Sequence, residues 1–300
     1  MQNLQGITLM ILAMAGFALG DTGIKFLSDG LSLSQILMTM GVIGTGAFVL
    51  LSLSKRQPIL TRDMRHPAVL IRGASDVIAA LFMINALAVS PLSLVTSVTQ
   101  AGPLVVALGA VVLFKEQVGW RRWCAIFAGL TGVMIILRPG TEGFDVFALL
   151  AVGAMLALAA RDLATRAAPK TLSNLQLATV GFASFLVSAL MLIPFTDPWS
   201  IPDTREWGLF ALVILPTIAG YYAITASMRI GDISVVTPFR YSRLLFGVVL
   251  GVTLFSESID IWMLVGGALI VASGIYTVLR ERKLHRIELA TAPTCVQDDR

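Results

Sequence analysis

The sequence predicts an all-α membrane protein: ten transmembrane helices in two inverted five-helix repeats. Three observations carry that prediction. Hydrophobic residues make up 56% of the 300-residue chain and charged residues only 13%, with a mean hydropathy of +0.84. Soluble domains carry about 25% charged residues, so lipid must replace much of the water around this chain. Ten apolar runs are each long enough to cross a bilayer core, which takes about 20 helical residues. Finally, the pattern of the first half returns in the second.

The runs, in order, are 4–26, 32–53, 67–89, 92–114, 121–138, 144–163, 173–195, 206–228, 233–255 and 260–280. Short polar segments rich in turn and cap residues separate them. In lipid a helix satisfies its own backbone, so helical spans are the expected form. The opening stretch MQNLQGITLMILAMAGFALG has no charged region before its apolar run, so it reads as a retained first helix rather than a cleaved signal. GFALG (16–20) and GVVLG (247–251) are stripes of small residues that allow close helix approach. GVIGTG (41–46) follows no strand and precedes no lysine, so it is not a phosphate cradle. Trp120 and Trp123 fit an aromatic belt at one interface, and Trp199 and Trp207 a belt at the other.

Orientation follows from lysine and arginine in the loops. With the N-terminus in the cytoplasm, one side receives Lys55, Arg56, Arg62, Arg65, Lys115, Arg121, Arg122, Arg161, Arg166, Lys170, Arg229, Arg280, Arg282, Lys283 and Arg286. The other receives Lys25, Arg138 and Arg205, a balance of fifteen against three. Both termini are therefore expected in the cytoplasm. The small formal charge of +4 is dispersed and suggests no nucleic-acid partner. Cys124 and Cys295 suggest no disulfide framework, and His66 and His285 no metal site.

A shift of 141 residues carries Thr96 onto Thr237, Phe114 onto Phe255 and Glu116 onto Glu257. Each time a short polar break precedes a long apolar run that ends in Phe-x-Glu. Five spans per half is an odd number, so the second half enters the membrane upside down. Inverted repeats of this kind are typical of secondary transporters, whose substrate site lies at the midplane between the halves. The two glutamates read as caps of the helices that follow them.

On the segments SPLSLVTSVTQAGPLVVALGAVVLFKEQVGWRRWCAIFAGLTGVMIILRPG and SVVTPFRYSRLLFGVVLGVTLFSESIDIWMLVGGALIVASGIYTVLRER, the chain resembles the EamA-type drug/metabolite transporter family. The resemblance spans roughly residues 4–283. It implies a first repeat over 1–140 and a second over 141–283, and the polar end TAPTCVQDDR reads as part of a disordered cytoplasmic tail over 284–300. It also implies a central cavity and a multi-pass protein of the bacterial inner membrane. Members of the family move amino acids and related compounds, vitamins such as riboflavin, or S-adenosylmethionine. Many carry a basic residue in the second helix, and the stretch QILMTMGVIG has none.

The expected partners are a small-molecule substrate, membrane lipid and a coupling ion such as a proton, with no cofactor. Arg240 and Arg243 stand three apart in an apolar run, on one helix face. Buried there at a cost of about 2.5–3.5 kcal/mol each, they either border a cavity and attract an anionic group, or pair with Asp76 or Asp162. Arg72 and Asp76, four apart, read as a proton-coupling or substrate-contacting pair, or as a structural ion pair. Asp21 and Lys25, also four apart, read as reaching the interface. Asn85 and Gln100 read as cavity residues or interhelical hydrogen bonds. Tyr221 and Tyr222, read as deep in the eighth span, and Tyr241, between the two arginines, read as stacking surfaces for a planar ligand or as packing. No G-x-x-x-x-G-K-[ST], G-x-S-x-G or H-E-x-x-H motif occurs, so neither ATP drive nor a familiar membrane-embedded hydrolase is indicated. An embedded enzyme or a scaffold without transport remain the alternatives.

Overall fold

The structure is a computed structural model that describes residues 2–115, 119–141, 145–230 and 233–291. Glu116 and Cys295 lie outside the described residues, as do the side chains of Arg229, Arg282, Lys283, His285 and Arg286. Among the described residues, twelve α-helices make ten candidate spans. They are α1 (Gln2–Leu27), α2 (Leu33–Ser54), α3 (Pro67–Val89), α4 (Leu92–Thr99), α5 (Gly102–Phe114) and α6 (Trp120–Leu137). The second half holds α7 (Ala148–Ala167), α8 (Asn174–Leu192), α9 (Thr204–Ile230), α10 (Ile233–Val236), α11 (Ser242–Phe255) and α12 (Ile261–Thr291). The spans fall within a few residues of the apolar runs, with two differences. The fourth span is split into α4 and α5, and the ninth into α10, a 3-10 turn (Thr237–Tyr241) and α11. At its end α12 continues past residue 283 to Thr291.

Local sequence explains where the helices begin. Ser32 accepts from the Gln35 amide ahead of α2, and His66 Nδ1 from the Ala68 amide ahead of α3, where Pro67 is the first helical residue. Ser173 and Gln176 form a reciprocal capping box at α8, and Asp203 and Glu206 exchange the same two bonds at α9.

Successive spans alternate direction, so every helix end lies on one of two faces. The first face carries the N-terminal end of α1, and the second carries its C-terminal end. The strongest packing pairs obey the repeat. α1 packs on α9 and its counterpart α7 packs on α3, while α2·α8, α6·α12 and α4·α11 each join a span to its own counterpart. Close approach needs small residues. A Cβ at Gly16 of α1 would stand 2.6 Å from the Pro216 carbonyl of α9, and one at Gly132 of α6 would stand 2.6 Å from the Gly266 carbonyl of α12. The largest buried cluster draws on both halves, from Ile24 and Leu87 to Phe210 and Ile270. Large apolar side chains such as Leu50, Leu70, Val112, Leu190 and Leu245 are exposed on the outside, where lipid belongs.

Candidate functional site

The two broken spans meet. α4 ends at Thr99, Gln100 caps it, and α5 begins at Gly102 with Pro103 in its first turn. In the other half, Pro238 lies in the first turn of the 3-10 segment that separates α10 from α11. The 141-residue shift sets Gln100 on Tyr241, so both repeats break at the same place. Gln100 Nε2 donates to the Arg240 carbonyl oxygen at 2.9 Å, which ties one break to the other. Discontinuous spans of this kind leave backbone groups free of the helix ladder at mid-depth.

The break also changes what the two arginines do. The sequence placed Arg240 and Arg243 on one face of a continuous helix, but Arg240 lies in the 3-10 turn and Arg243 in the first turn of α11. Arg243 donates to Asp21 Oδ2 of α1 at 2.6 Å and lies 5.6 Å from the Phe17 ring centroid. Its partner is therefore Asp21, in place of the expected Asp76 or Asp162. Asp21 is buried and does not reach the interface. No acceptor lies within hydrogen-bonding or ion-pair distance of the half-buried Arg240 guanidinium among the described residues. The Tyr241 ring is buried where a side chain at Gly274 of α12 would overlap its hydroxyl, and that hydroxyl has no partner among the described residues. Its ring is thus packed against α12 and offers no stacking surface.

A second charged cluster joins α3, α7 and α8. Arg72 donates to Thr165 Oγ1 at 2.9 Å and to the Leu177 carbonyl at 2.8 Å, and stands 3.9 Å from Asp76. Arg161 pairs with its neighbour Asp162 at 2.7 Å and also stands 3.9 Å from Asp76. The sequence had counted Arg161 as a loop residue, whereas it belongs to this cluster within α7. The aromatic candidates of α9 divide. The Tyr221 hydroxyl donates to the Asn174 carbonyl at 3.3 Å and its ring packs edge-on to Phe48. Tyr222 is 64% exposed beneath the ammonium of Lys55, at the end of α2. Tyr222 therefore stands at the rim of the first face rather than deep in the bundle: Tyr221 is next to the start of α8, so α9 is already near that face. Asn85 bonds back to Leu81 of its own helix at 2.8 Å.

Sequence reading missed how the first helix of each repeat closes on the other repeat. Lys25 lies 5.4 Å from the Phe255 ring, and Arg166 lies 5.0 Å from the Phe114 ring. The repeat shift relates the two contacts, cation to cation and ring to ring. The signal was present as D-x-x-x-K at 21–25 and D-x-x-x-R at 162–166, at that same shift. Lys25 also donates to the carbonyls of Ser90 at 2.7 Å and Leu87 at 3.3 Å, at the end of α3. Glu257 caps no following helix. It accepts from the Leu92 amide at 2.6 Å and from the Ser93 amide and hydroxyl at 3.0 and 2.6 Å, at the start of α4 in the other repeat.

Ten helical spans, mutually inverted halves and two broken spans that touch at mid-depth define a multi-pass membrane protein of the transporter class. The model of the EamA-like transporter family matches the chain twice, over residues 4–138 and 146–279, and the chain belongs to that family. It is similar to a riboflavin transporter of Rhizobium johnstonii, at 26% identity over 94% of this chain and 93% of that one. It is also similar to an S-adenosylmethionine uptake transporter of Rickettsia prowazekii, at 24% identity over 66% of each. A crystal structure matches with a TM-score of 0.57 at 20% identity, covering 94% of this chain and 98% of its own, which is a likeness of fold.

Proposed function

We propose that the chain is a secondary transporter of the inner membrane, with both termini cytoplasmic, that carries a small polar metabolite by alternating access. The observation that carries this reading is the junction of the two breaks, where Gln100 holds the Arg240 carbonyl. The repeats rock about that junction and expose it to each face in turn. Asp21 neutralises Arg243, so Arg240 is the cation left to recognise cargo. A guanidinium presents several N–H groups in a plane and suits paired carbonyls or a carboxylate. The imide edge of a flavin offers the first and an amino acid terminus the second. Riboflavin is the leading substrate, supported by the name of a relative matched over nearly its whole length. S-adenosylmethionine and amino acid-like compounds are the second class, supported by the carboxylate they would offer Arg240 and by the other relative.

The test is uptake of labelled riboflavin into proteoliposomes, with S-adenosylmethionine and amino acids as competitors. Arg240→Ala is expected to reduce uptake by about tenfold or more with normal insertion, the scale of losing one strong recognition contact. Arg240→Lys should recover part of it. Full uptake by Arg240→Ala would remove Arg240 from the site.

A further inference from the structure

Two carboxylates are buried within the bundle on first-repeat helices, and they are held very differently. Among the described residues Asp21 has a single cation within ion-pair distance, Arg243 at 2.6 Å. Arg243 Nε has no other partner, and no other carboxylate lies within ion-pair range of this guanidinium among the described residues. Neutralising Asp21 would strand a buried guanidinium, which is strongly unfavourable. Asp76 stands between two guanidiniums at 3.9 Å from each, too far for a hydrogen bond. Its Oδ2 is buried with no hydrogen-bond partner among the described residues. Both arginines hold other acceptors: Arg72 has Thr165 and the Leu177 carbonyl, and Arg161 has Asp162. A neutral Asp76 would leave both guanidiniums their hydrogen-bond acceptors, and Arg161 its Asp162 carboxylate.

We infer that Asp76 is the proton-binding site through which this transporter couples to a proton gradient. The inference rests on the transporter reading above and goes beyond it by naming the coupling ion and its carrier. Asp76 lies nine residues into α3, roughly 14 Å from the first face at ~1.5 Å per residue, which is about the middle of a ~30 Å core. Among the described residues, the charged and titratable groups facing it are Arg72 from its own helix, Arg161 and Asp162 from α7, and Tyr221 from α9. From α8 it meets Gly181, where a Cβ would sit 3.6 Å from Oδ2, so a small space remains beside the carboxyl. The titratable groups of α1, Asp21 and Lys25, are engaged elsewhere. Arg161 belongs to the second repeat and Asp76 to the first, so rocking the repeats changes their separation. With Arg161 near, the carboxylate is favoured. With Arg161 withdrawn, Asp76 takes one proton from water on one face, forming an O–H bond. When Arg161 returns, that bond breaks and the proton leaves to water on the other face.

Two measurements decide the point. The first needs no substrate: the purified full chain in lipid vesicles is treated with dicyclohexylcarbodiimide, which modifies protonated carboxyls in apolar surroundings, and labelled residues are located by mass spectrometry. Asp76 should be labelled increasingly as pH falls from about 8 to about 5, and Asp21 should stay unlabelled. In the second, Asp76→Asn is expected to abolish riboflavin accumulation driven by a pH gradient while riboflavin exchange across the vesicle persists. No labelling of Asp76 at any pH, or gradient-driven accumulation that survives in Asp76→Asn, overturns the inference. If wild-type vesicles move no riboflavin, the substrate assignment falls while the labelling still decides the proton site.

Discussion

The two mouths of the transporter are built on the same contact, and among the described residues its surroundings differ. At the second face Lys25 covers Phe255, and at the first Arg166 covers Phe114. Around the first pair the structure adds three further ties. Lys25 bonds the last carbonyls of α3, where a cation complements the helix dipole. Phe26 packs on Phe255 with centroids 4.5 Å apart and the rings tilted by 33°. Glu257 fastens the start of α4 through three hydrogen bonds. At the first face Arg166 is exposed, Phe114 is 38% exposed, and the residue at the place of Phe26 is Ala167. Repetition of sequence thus supplies the contact skeleton, and divergence changes the ring and the exposure around it.

Removing the cations gives the largest effect. Lys25→Met keeps the stem but takes the ammonium from the Ser90 and Leu87 carbonyls, and is expected to cost about 2 kcal/mol. Arg166 is exposed, so solvent screens what it contacts and Arg166→Met should cost less, with about 0.5–1 kcal/mol from the Phe114 cation–π contact. The thermal unfolding midpoints of the two variants, purified in one detergent, should therefore fall unequally. A larger drop for Arg166→Met would invert the comparison.

The aromatic difference comes next. Phe26→Leu preserves apolar bulk and removes the ring pair, about 0.5–1.5 kcal/mol. Ala167→Phe supplies the missing ring beside Phe114. The first should ease opening at the second face and the second should hinder it at the first. Thiol-reagent access to cysteines placed at Ser93 and at Lys115, in a background without Cys124 and Cys295, reads both. Equal access in the two variants and the parent would show that the rings do not set closure.

Much of this arrangement was legible in the sequence, for definable reasons. Hydropathy gives the spans because a bilayer fixes their length, and the Phe-x-Glu repeat gave the inversion. Arg72 and Asp76 were recognisable as a pair because i,i+4 spacing fixes neighbours on one helix. The break at Thr237–Tyr241 was hidden, since the apolar run continues straight across it. The Asp21–Arg243 pair was hidden for another reason: helical spacing gives the face a residue occupies but not the helix that face meets, 222 positions away. Tyr222 was misplaced because its depth was judged from an apolar stretch whose helix extends to Ile230.

The smallest expected effect concerns a tie with no counterpart. Arg138, at the end of α6, pairs with Asp260, just before α12, on the second face. Their equivalents at the first face are Leu279 and Gly119, which cannot pair. The Trp262 amide, donating to Asp260 Oδ1 at 3.2 Å, is the chief cause that holds the Asp260 carboxyl below its ordinary range, and Arg138 adds to it. A lowered folded pKa means that the tie contributes fully above the ordinary carboxylate value of about 4. It fades as pH falls through the lowered one. Between about pH 5 and 8 it should therefore be constant. Any pH dependence of transport in that interval must come from elsewhere, and Asp260→Asn should leave it unchanged. Because the pair is exposed, salt should weaken it, and the variant should lose only the acid-side part of the unfolding profile. If Asp260→Asn instead shifts the transport profile near neutrality, the Arg138–Asp260 tie would rank among the strongest differences between the two mouths rather than the weakest.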